Sequence, residues 1–130
     1  MTALCVGLHL LLQFGAIGQS RMTAAEARKL VGAVLSANQK KLAKLVIEPD
    51  GEHDGCVVYH AYQSPGTMTF TVGWWSIDTR TAEVWDDLIR ERVTEKRLVP
   101  VQLTIRKRLG VTNNELSASI FNPCYERDSK

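Results

Sequence analysis

The sequence predicts an α+β domain in which an N-terminal helix packs on a small antiparallel sheet of three to four strands, followed by a C-terminal helix. Two observations predict this class. An amphipathic helical repeat begins near Thr23, and a strand-turn-strand pattern that contains all three tryptophans occupies residues 69–86. The spacing of apolar residues changes from the helical period to strand-like alternation between these two regions.

The N-terminal stretch has the composition of a secretory signal peptide. Residues 1–20 contain no Lys, Arg, Asp or Glu, and residues 3–17 are mostly apolar. This stretch is short for a membrane span, and Ala16 and Gly18 are small residues of the kind found before a cleavage site. We therefore predict a signal peptide over residues 1–18, a single α+β domain over 19–130, and a periplasmic or secreted location. The alternative is a buried N-terminal helix or a misassigned start codon.

The first helix is predicted from its N-terminal cap. Thr23 and Glu26 fit a capping box, in which each side chain satisfies a free backbone amide. The pattern predicts a helix from about Ala24 to about Asn38. Its apolar stripe consists of Ala27, Leu30, Val31, Val34 and Leu35.

The next segments are assigned from composition. Residues 42–48 fit either a helical turn or a first strand, and the apolar run before the proline favours the strand. Residues 49–55 combine proline, glycine and carboxylates, which is typical of a loop at a hairpin tip. Asp50, Glu52 and Asp54 alternate as calcium ligands do, but the rest of a calcium loop is missing. We therefore predict no metal and no other cofactor.

A second strand is predicted over residues 56–62. Its side chains alternate between two faces: Cys56, Val58, His60 and Tyr62 on one, and Val57, Tyr59 and Ala61 on the other. We interpret His60 as a hydrogen-bonded strand histidine, because no nucleophile motif or metal-ligand spacing accompanies it.

The tryptophan-rich hairpin begins with strand-like alternation over residues 69–74. Trp74 and Trp75 are adjacent, so they would face opposite sides of a regular strand. Either both faces of the sheet are covered, or Gly73 marks a bulge that redirects one ring.

Residues 78–82 have turn chemistry, and residues 83–85 predict a short return strand. The three tryptophans, Trp74, Trp75 and Trp85, form either a hairpin core buried under a helix or an exposed aromatic surface. Burial is favoured because large aromatic side chains dominate core packing. The alternative is a possible binding surface for a sugar or a partner.

The run from Gly73 to Trp85, GWWSIDTRTAEVW, resembles the W/Y-x-V-D-x-x-T-G-x-V hairpin of PepSY-like domains and related small exported bacterial proteins. With the upstream helix, the resemblance covers about half of the chain. Ala82 stands where the pattern usually has glycine. The resemblance implies an exported, non-catalytic binding or inhibitory module, and it carries over no catalytic residue.

Beyond the hairpin, one of two adjacent aspartates is predicted to cap a polar surface helix over residues 88–98. A further helix is predicted over 100–109, with cations in its last turn and Gly110 as its stop. Alternation over residues 101–105 also fits a strand, and this alternative stays open. Residues 112–130 are a mostly polar tail.

Two cysteines remain once Cys5 is removed with the signal peptide. An exported compartment permits disulfides, so we predict that Cys56 and Cys124 pair. On the loop-entropy model, such a bridge stabilises the fold by about 4 kcal/mol. It would also attach a tail of low apolar content to the sheet.

No catalytic motif of specific spacing is present: the sequence lacks G-x-S-x-G, H-E-x-x-H, a P-loop and a glycine-rich dinucleotide turn. Glu83, Asp86 and Asp87 are interpreted as turn and capping residues. The net charge of +2 is too small to indicate a nucleic acid or a membrane surface as partner. Residues 105–112 resemble the turn of a DNA-binding helix pair, but a signal peptide argues against that function.

These observations predict a small exported bacterial protein that is not an enzyme and has no stable membrane anchor. Its role would be to bind another protein, as an inhibitor or an immunity protein. The alternative is a cell-wall or small-ligand binding module that uses exposed tryptophans.

Overall fold

The computed structural model describes residues 21–53, 55–118 and 124. Five strands form one antiparallel sheet in the order β1-β2-β3-β4-β5. The elements are α1 Ala24–Val34, α2 Ala37–Lys40, β1 Leu45–His53, β2 Cys56–Gln63, β3 Phe70–Asp78, β4 Val84–Asp86, β5 Glu91–Arg92, α3 Leu98–Leu109 and α4 Asn113–Ala118. The predicted α+β class is confirmed, with one or two more strands than expected. The predicted signal peptide lies outside the described residues.

Helix α1 begins at the predicted capping box. The Thr23 backbone amide donates to Glu26 Oε2 at 2.8 Å, and the Glu26 amide donates to Thr23 Oγ1 at 3.2 Å. The helix ends at Val34, so the prediction that it continues to Asn38 was wrong. Ser36 and Gln39 form a second capping box, which starts α2 instead. A serine that bonds local backbone amides competes with the continuing helix.

Strand β1 confirms the strand alternative for residues 42–48. It also runs through most of the loop that was predicted over residues 49–55. The register with β2 shifts between Pro49 and Glu52, which marks a bulge. Proline lacks an amide donor and is tolerated in β1 because this strand lies at the edge of the sheet. Pairing with β2, rather than local composition, therefore extends the strand to His53.

The predicted surface helix over residues 88–98 was wrong. Asp86 Oδ1 accepts from the Leu88 amide at 2.9 Å, so the aspartate closes a turn rather than capping a helix. The chain then adds β5 to the edge of the sheet.

Helix α3 confirms the prediction for residues 100–109 and begins at Leu98, with its proline in the first turn, where the missing amide costs little. Gly110 ends α3 with a left-handed backbone of φ 71°.

The core lies between one face of the sheet and helices α1 and α3. From the sheet it contains Tyr59, Ala61, Trp75, Ile77 and Val84, and from the helices and the residue that follows α1 it contains Ala27, Leu30, Val31, Leu35, Leu98 and Ile105. Polar contacts add to this packing. The Tyr59 hydroxyl donates to the Ala24 carbonyl at 3.3 Å, and Arg28 Nη1 donates to the Ile47 carbonyl at 2.6 Å.

Strand β3 places its two adjacent tryptophans on opposite faces. Trp75 is buried in the core, whereas Trp74 lies on the other face and is only half-buried. The pairing shifts from Ala61–Gly73 to Tyr62–Thr71, so Val72 is an extra residue in a bulge directly before Gly73. A Cβ at position 73 would lie 2.7 Å from the Trp75 ring. Glycine at this position therefore makes room for the buried ring.

The turn between β3 and β4 contains Ala82 with a left-handed backbone of φ 59°. This is the position where the PepSY-like pattern usually has glycine, and the turn does require that conformation. An alanine in it costs roughly 1 kcal/mol. Its methyl group is fully buried, which offsets part of that cost.

A disulfide bond joins Cys56 at the start of β2 to Cys124, with a Cα–Cα distance of 5.7 Å and a sequence separation of 68. Both cysteines are buried. His53 Nε2 lies 3.1 Å from the Cys124 carbonyl oxygen. The disulfide bond and this polar contact both attach Cys124 to the hairpin of β1 and β2.

Gly73→Ala should destabilise the fold by about 1–3 kcal/mol, because the added methyl overlaps the Trp75 ring in a packed core. Gly32→Ala in α1 is the matched control, since a Cβ there meets nothing within 4 Å. It should stabilise the protein by about 1 kcal/mol, as alanine is the better helix former. Urea denaturation measures both, and equal effects would contradict the close contact.

Acid should remove the contribution of the ion pair between α1 and α3. Arg108 Nε lies 2.6 Å from Glu26 Oε1, and this hydrogen bond lowers the pKa of Glu26 from 4.5 to about 2. A lowered folded-state pKa stabilises the protein above pH 4.5, and the effect is lost as the pH falls through about 2. Glu26→Gln keeps the capping box but removes the charge.

The melting temperature of Glu26→Gln should therefore lie below that of the wild type at neutral pH, and the two should converge near pH 2. Melting curves across this pH range measure the difference. A gap that does not change with pH would show that the ion pair contributes nothing.

Cys124→Ser should lower the free energy of unfolding by about 2–4 kcal/mol, since the bond constrains a long loop in the unfolded chain. Thermal melting under non-reducing conditions measures the loss. Reducing agent should lower the stability of the wild type and leave Cys124→Ser unchanged. Two free thiols per mature chain, which lacks Cys5, would rule the bond out when the unreduced protein is denatured.

Candidate functional site

The three tryptophans that formed the predicted binding surface do not act as one surface. Trp75 is 4% exposed and Trp85 is 5% exposed, so two of the three are buried. Trp75 points into the core, and the Arg92 guanidinium lies over the Trp85 ring, 5.1 Å from its centre. Trp74 alone contributes substantial side-chain surface, and the candidate site is built around it.

Trp74 is held in place from two sides. Its ring stacks on His60, with ring centres 4.3 Å apart and an angle of 10° between the planes. Its indole Nε1 donates to Asp50 Oδ2 at 3.1 Å. The register pairs Glu48 with His60 and His60 with Trp74, so β1, β2 and β3 present these side chains on the same face. That face is opposite to the helices.

Tyr62 extends the aromatic stack along β2. Its ring centre lies 4.9 Å from that of His60, and His60 Nε2 lies 3.1 Å from Thr71 Oγ1. Loss of solvent raises the pKa of the Tyr62 hydroxyl, and a hydrogen bond to Glu48 together with the negative charge of Glu48 raises it further.

We define the outer patch as Glu48, Asp50, His60, Tyr62 and Trp74. It combines three neighbouring rings with two exposed carboxylates; the His60 and Trp74 rings are stacked, and the Tyr62 ring is tilted by 35° against His60. Each ring is restrained by a neighbour, so little side-chain freedom remains to be lost on binding. Aromatic faces and carboxylates together are suited to contact cationic side chains, especially arginine.

The charges of the chain are separated along the sequence. Residues 45–79, which form the first three strands, contain five carboxylates and no lysine or arginine. Residues 21–44, which form the first two helices, contain six lysines and arginines and one carboxylate. The net charge of the whole chain is therefore small although the first three strands are acidic and the first two helices are basic.

Sequence reasoning found Trp74 but missed the other members of the outer patch as binding residues. His60 and Tyr62 were correctly placed on one strand face, and His60 does make a hydrogen bond. Asp50 was considered only as a calcium ligand. Among the described residues, no three His, Cys, Asp or Glu side chains lie close enough to hold a metal ion. The signal that could have identified the patch is the long stretch without cations.

The carboxylates of the outer patch lie beside aromatic rings on the sheet surface, and the Asp50 carboxylate accepts a hydrogen bond from the Trp74 indole. In the part of the chain that the structure describes, no helix is long and apolar enough to cross a membrane.

Comparison with known proteins yields a likeness in fold. No family model matches the sequence, and the search of curated proteins likewise finds no match. Among solved structures, the fold is similar to a chain in a type VI secretion system effector-immunity complex from Pseudomonas protegens. The TM-score is 0.62, the sequence identity is 16%, and the likeness covers 77% of this chain and 87% of that chain. The two chains therefore share a fold.

Proposed function

We propose that this chain is a non-catalytic protein inhibitor of the immunity type, which binds a partner protein through the outer patch. The observation that carries the proposal is the cluster of contacting aromatic rings bordered by carboxylates on the sheet face opposite the helices. The likeness in fold to a chain of an effector-immunity complex supports it. An inhibitor needs a rigid recognition surface and no reactive group of its own.

Trp74 is the expected centre of the interface. Tryptophan is enriched among the residues that contribute most to protein association, and a ring that is fixed before binding loses less freedom when the complex forms. The stack on His60 and the hydrogen bond to Asp50 fix the ring in the free protein. Binding then costs little conformational entropy, and most of the contact energy remains available for affinity.

The charge of the patch indicates the chemistry of the partner. Because the first three strands carry carboxylates and no lysine or arginine, a positively charged surface is attracted to them. A toxin with cationic groups at its active site is such a partner. Blocking those groups would inhibit it without any chemical step by the inhibitor.

Export forms part of the proposal. The N-terminal stretch without charged residues and the disulfide between Cys56 and Cys124 both favour a periplasmic or secreted location. A relationship to PepSY-like domains is also proposed, supported by the left-handed turn at Ala82.

Amino-terminal sequencing of material from periplasmic extracts tests export and should find a chain that begins near Gln19. Full-length protein in the cytosol would contradict export.

The binding test uses two patch variants and one control. Trp74→Ala and Asp50→Lys should weaken binding to the product of a neighbouring toxin gene by about 100-fold, a loss typical of central interface residues. Leu103→Ala is the control, because Leu103 is 59% exposed on α3 and lies outside the patch. Calorimetry measures the affinity, and toxin growth assays measure protection.

Equal affinity of Trp74→Ala and the wild type would contradict the assigned surface. Failure to recover any specific protein from periplasmic extract or neighbouring genes would contradict the function. Quenching of Trp74 fluorescence by peptidoglycan fragments, without a protein partner, would instead support a cell-wall binding module.

A further inference from the structure

A groove on the helix side of the sheet is not explained by the proposed function. It has a volume of about 650 Å³ and lies between α1, the first residues of β1 and the start of α3. Its floor includes Ala33, Ile47 and Val101, and Gly32 contributes bare backbone. The outer patch lies on the opposite face of the sheet, so the two surfaces can be occupied independently.

Gly32 keeps the groove open. Its backbone does not have the positive φ that would require glycine, and a Cβ built on it meets nothing within 4 Å. Glycine in a helix is less favourable than alanine. Neither backbone geometry nor internal packing explains glycine at this position, whereas the space above it suits a side chain supplied by another molecule.

The rim of the groove is basic. Lys29, Lys40 and Arg97 line it, and no carboxylate is among the described residues that do so. The Arg97 guanidinium is used within the chain, donating to the Leu35 carbonyl at 2.9 Å and pairing with Glu95 at 3.5 Å. Lys29 and Lys40 are exposed. Two ammonium groups therefore border an apolar floor.

We propose that this groove, here called the basic groove, binds an acidic amphipathic helix of a partner protein. A large apolar side chain of that helix would lie over Gly32, and its carboxylates would contact Lys29 and Lys40. Because the rim is positively charged, a negatively charged ligand is complementary to it. The open apolar floor matches the apolar anchor residues of a helix that binds in a groove. The open form suits a protein segment better than an enclosed small molecule.

The test measures binding of fluorescein-labelled model helices to the full chain by fluorescence anisotropy. One peptide, of about 15 residues so that it can form a helix, combines leucine and glutamate in a helical repeat. The second has lysine in place of glutamate. The acidic peptide should bind saturably and the basic peptide should not.

Variants locate the site. Gly32→Leu fills the groove and should abolish binding, while Gly32→Ala should weaken it less. Lys29→Glu should weaken binding by about ten-fold, a loss expected when an attractive charge becomes repulsive. Lys107→Glu makes the same change of charge on the exposed face of α3, outside the groove, and should retain binding. Trp74→Ala should also retain it. Circular dichroism shows whether each variant is folded.

Several outcomes would overturn the inference. They are the absence of saturable binding, equal binding of the two peptides, and full binding by folded Gly32→Leu. Displacement of the peptide by dodecanoate with tighter saturable binding would assign the groove to alkyl carboxylates instead. Failure of this test leaves the outer patch untouched, because its binding test uses a different surface and different variants.

Discussion

The buried carboxylate of Glu83 joins the sheet to the C-terminal half of the fold. Glu83 is 6% exposed, and its oxygens contact Arg106 Nη2 at 2.6 Å and Arg92 Nε at 3.3 Å. A buried charge is tolerated only when it is paired and hydrogen-bonded, so these two arginines must approach it together. One comes from α3 and the other from β5. Their approach brings a helix and an edge strand to the same turn.

The turn between β3 and β4 depends on this network. Arg106 Nε donates to the Thr81 carbonyl at 2.8 Å, and Gln102 Nε2 donates to the Ala82 carbonyl at 2.9 Å. These contacts satisfy buried carbonyl groups that a strained left-handed turn would otherwise leave without partners. They also place α3 over the core. The guanidinium of Arg92, the second arginine, also lies over the Trp85 ring.

The two faces of β3 separate the packed core from the proposed binding surface. The bulge at Val72 and the space left by Gly73 direct the Trp75 ring into the core. Trp74 must then face the other side, where His60 and Asp50 hold it. One tryptophan supplies apolar burial and its neighbour supplies a fixed surface. The acidic outer patch and the basic groove lie on opposite sides of the same sheet, which explains how strong local charge coexists with a small net charge.

Local sequence by itself determined the elements whose signals act over a few residues: the capping box of α1, the glycine stop of α3, and the alternation of β2. These depend on neighbouring backbone groups and on the hydrophobic period, which are independent of the rest of the fold. The tertiary structure decided the remainder. Pairing with β2 extends β1 through residues whose composition is typical of a loop. Pairing with β4 forms a strand within residues 88–98, where a helix was predicted. Packing against the rest of the fold determines which tryptophans are buried. Such outcomes depend on partners distant in sequence, so composition and spacing do not encode them locally.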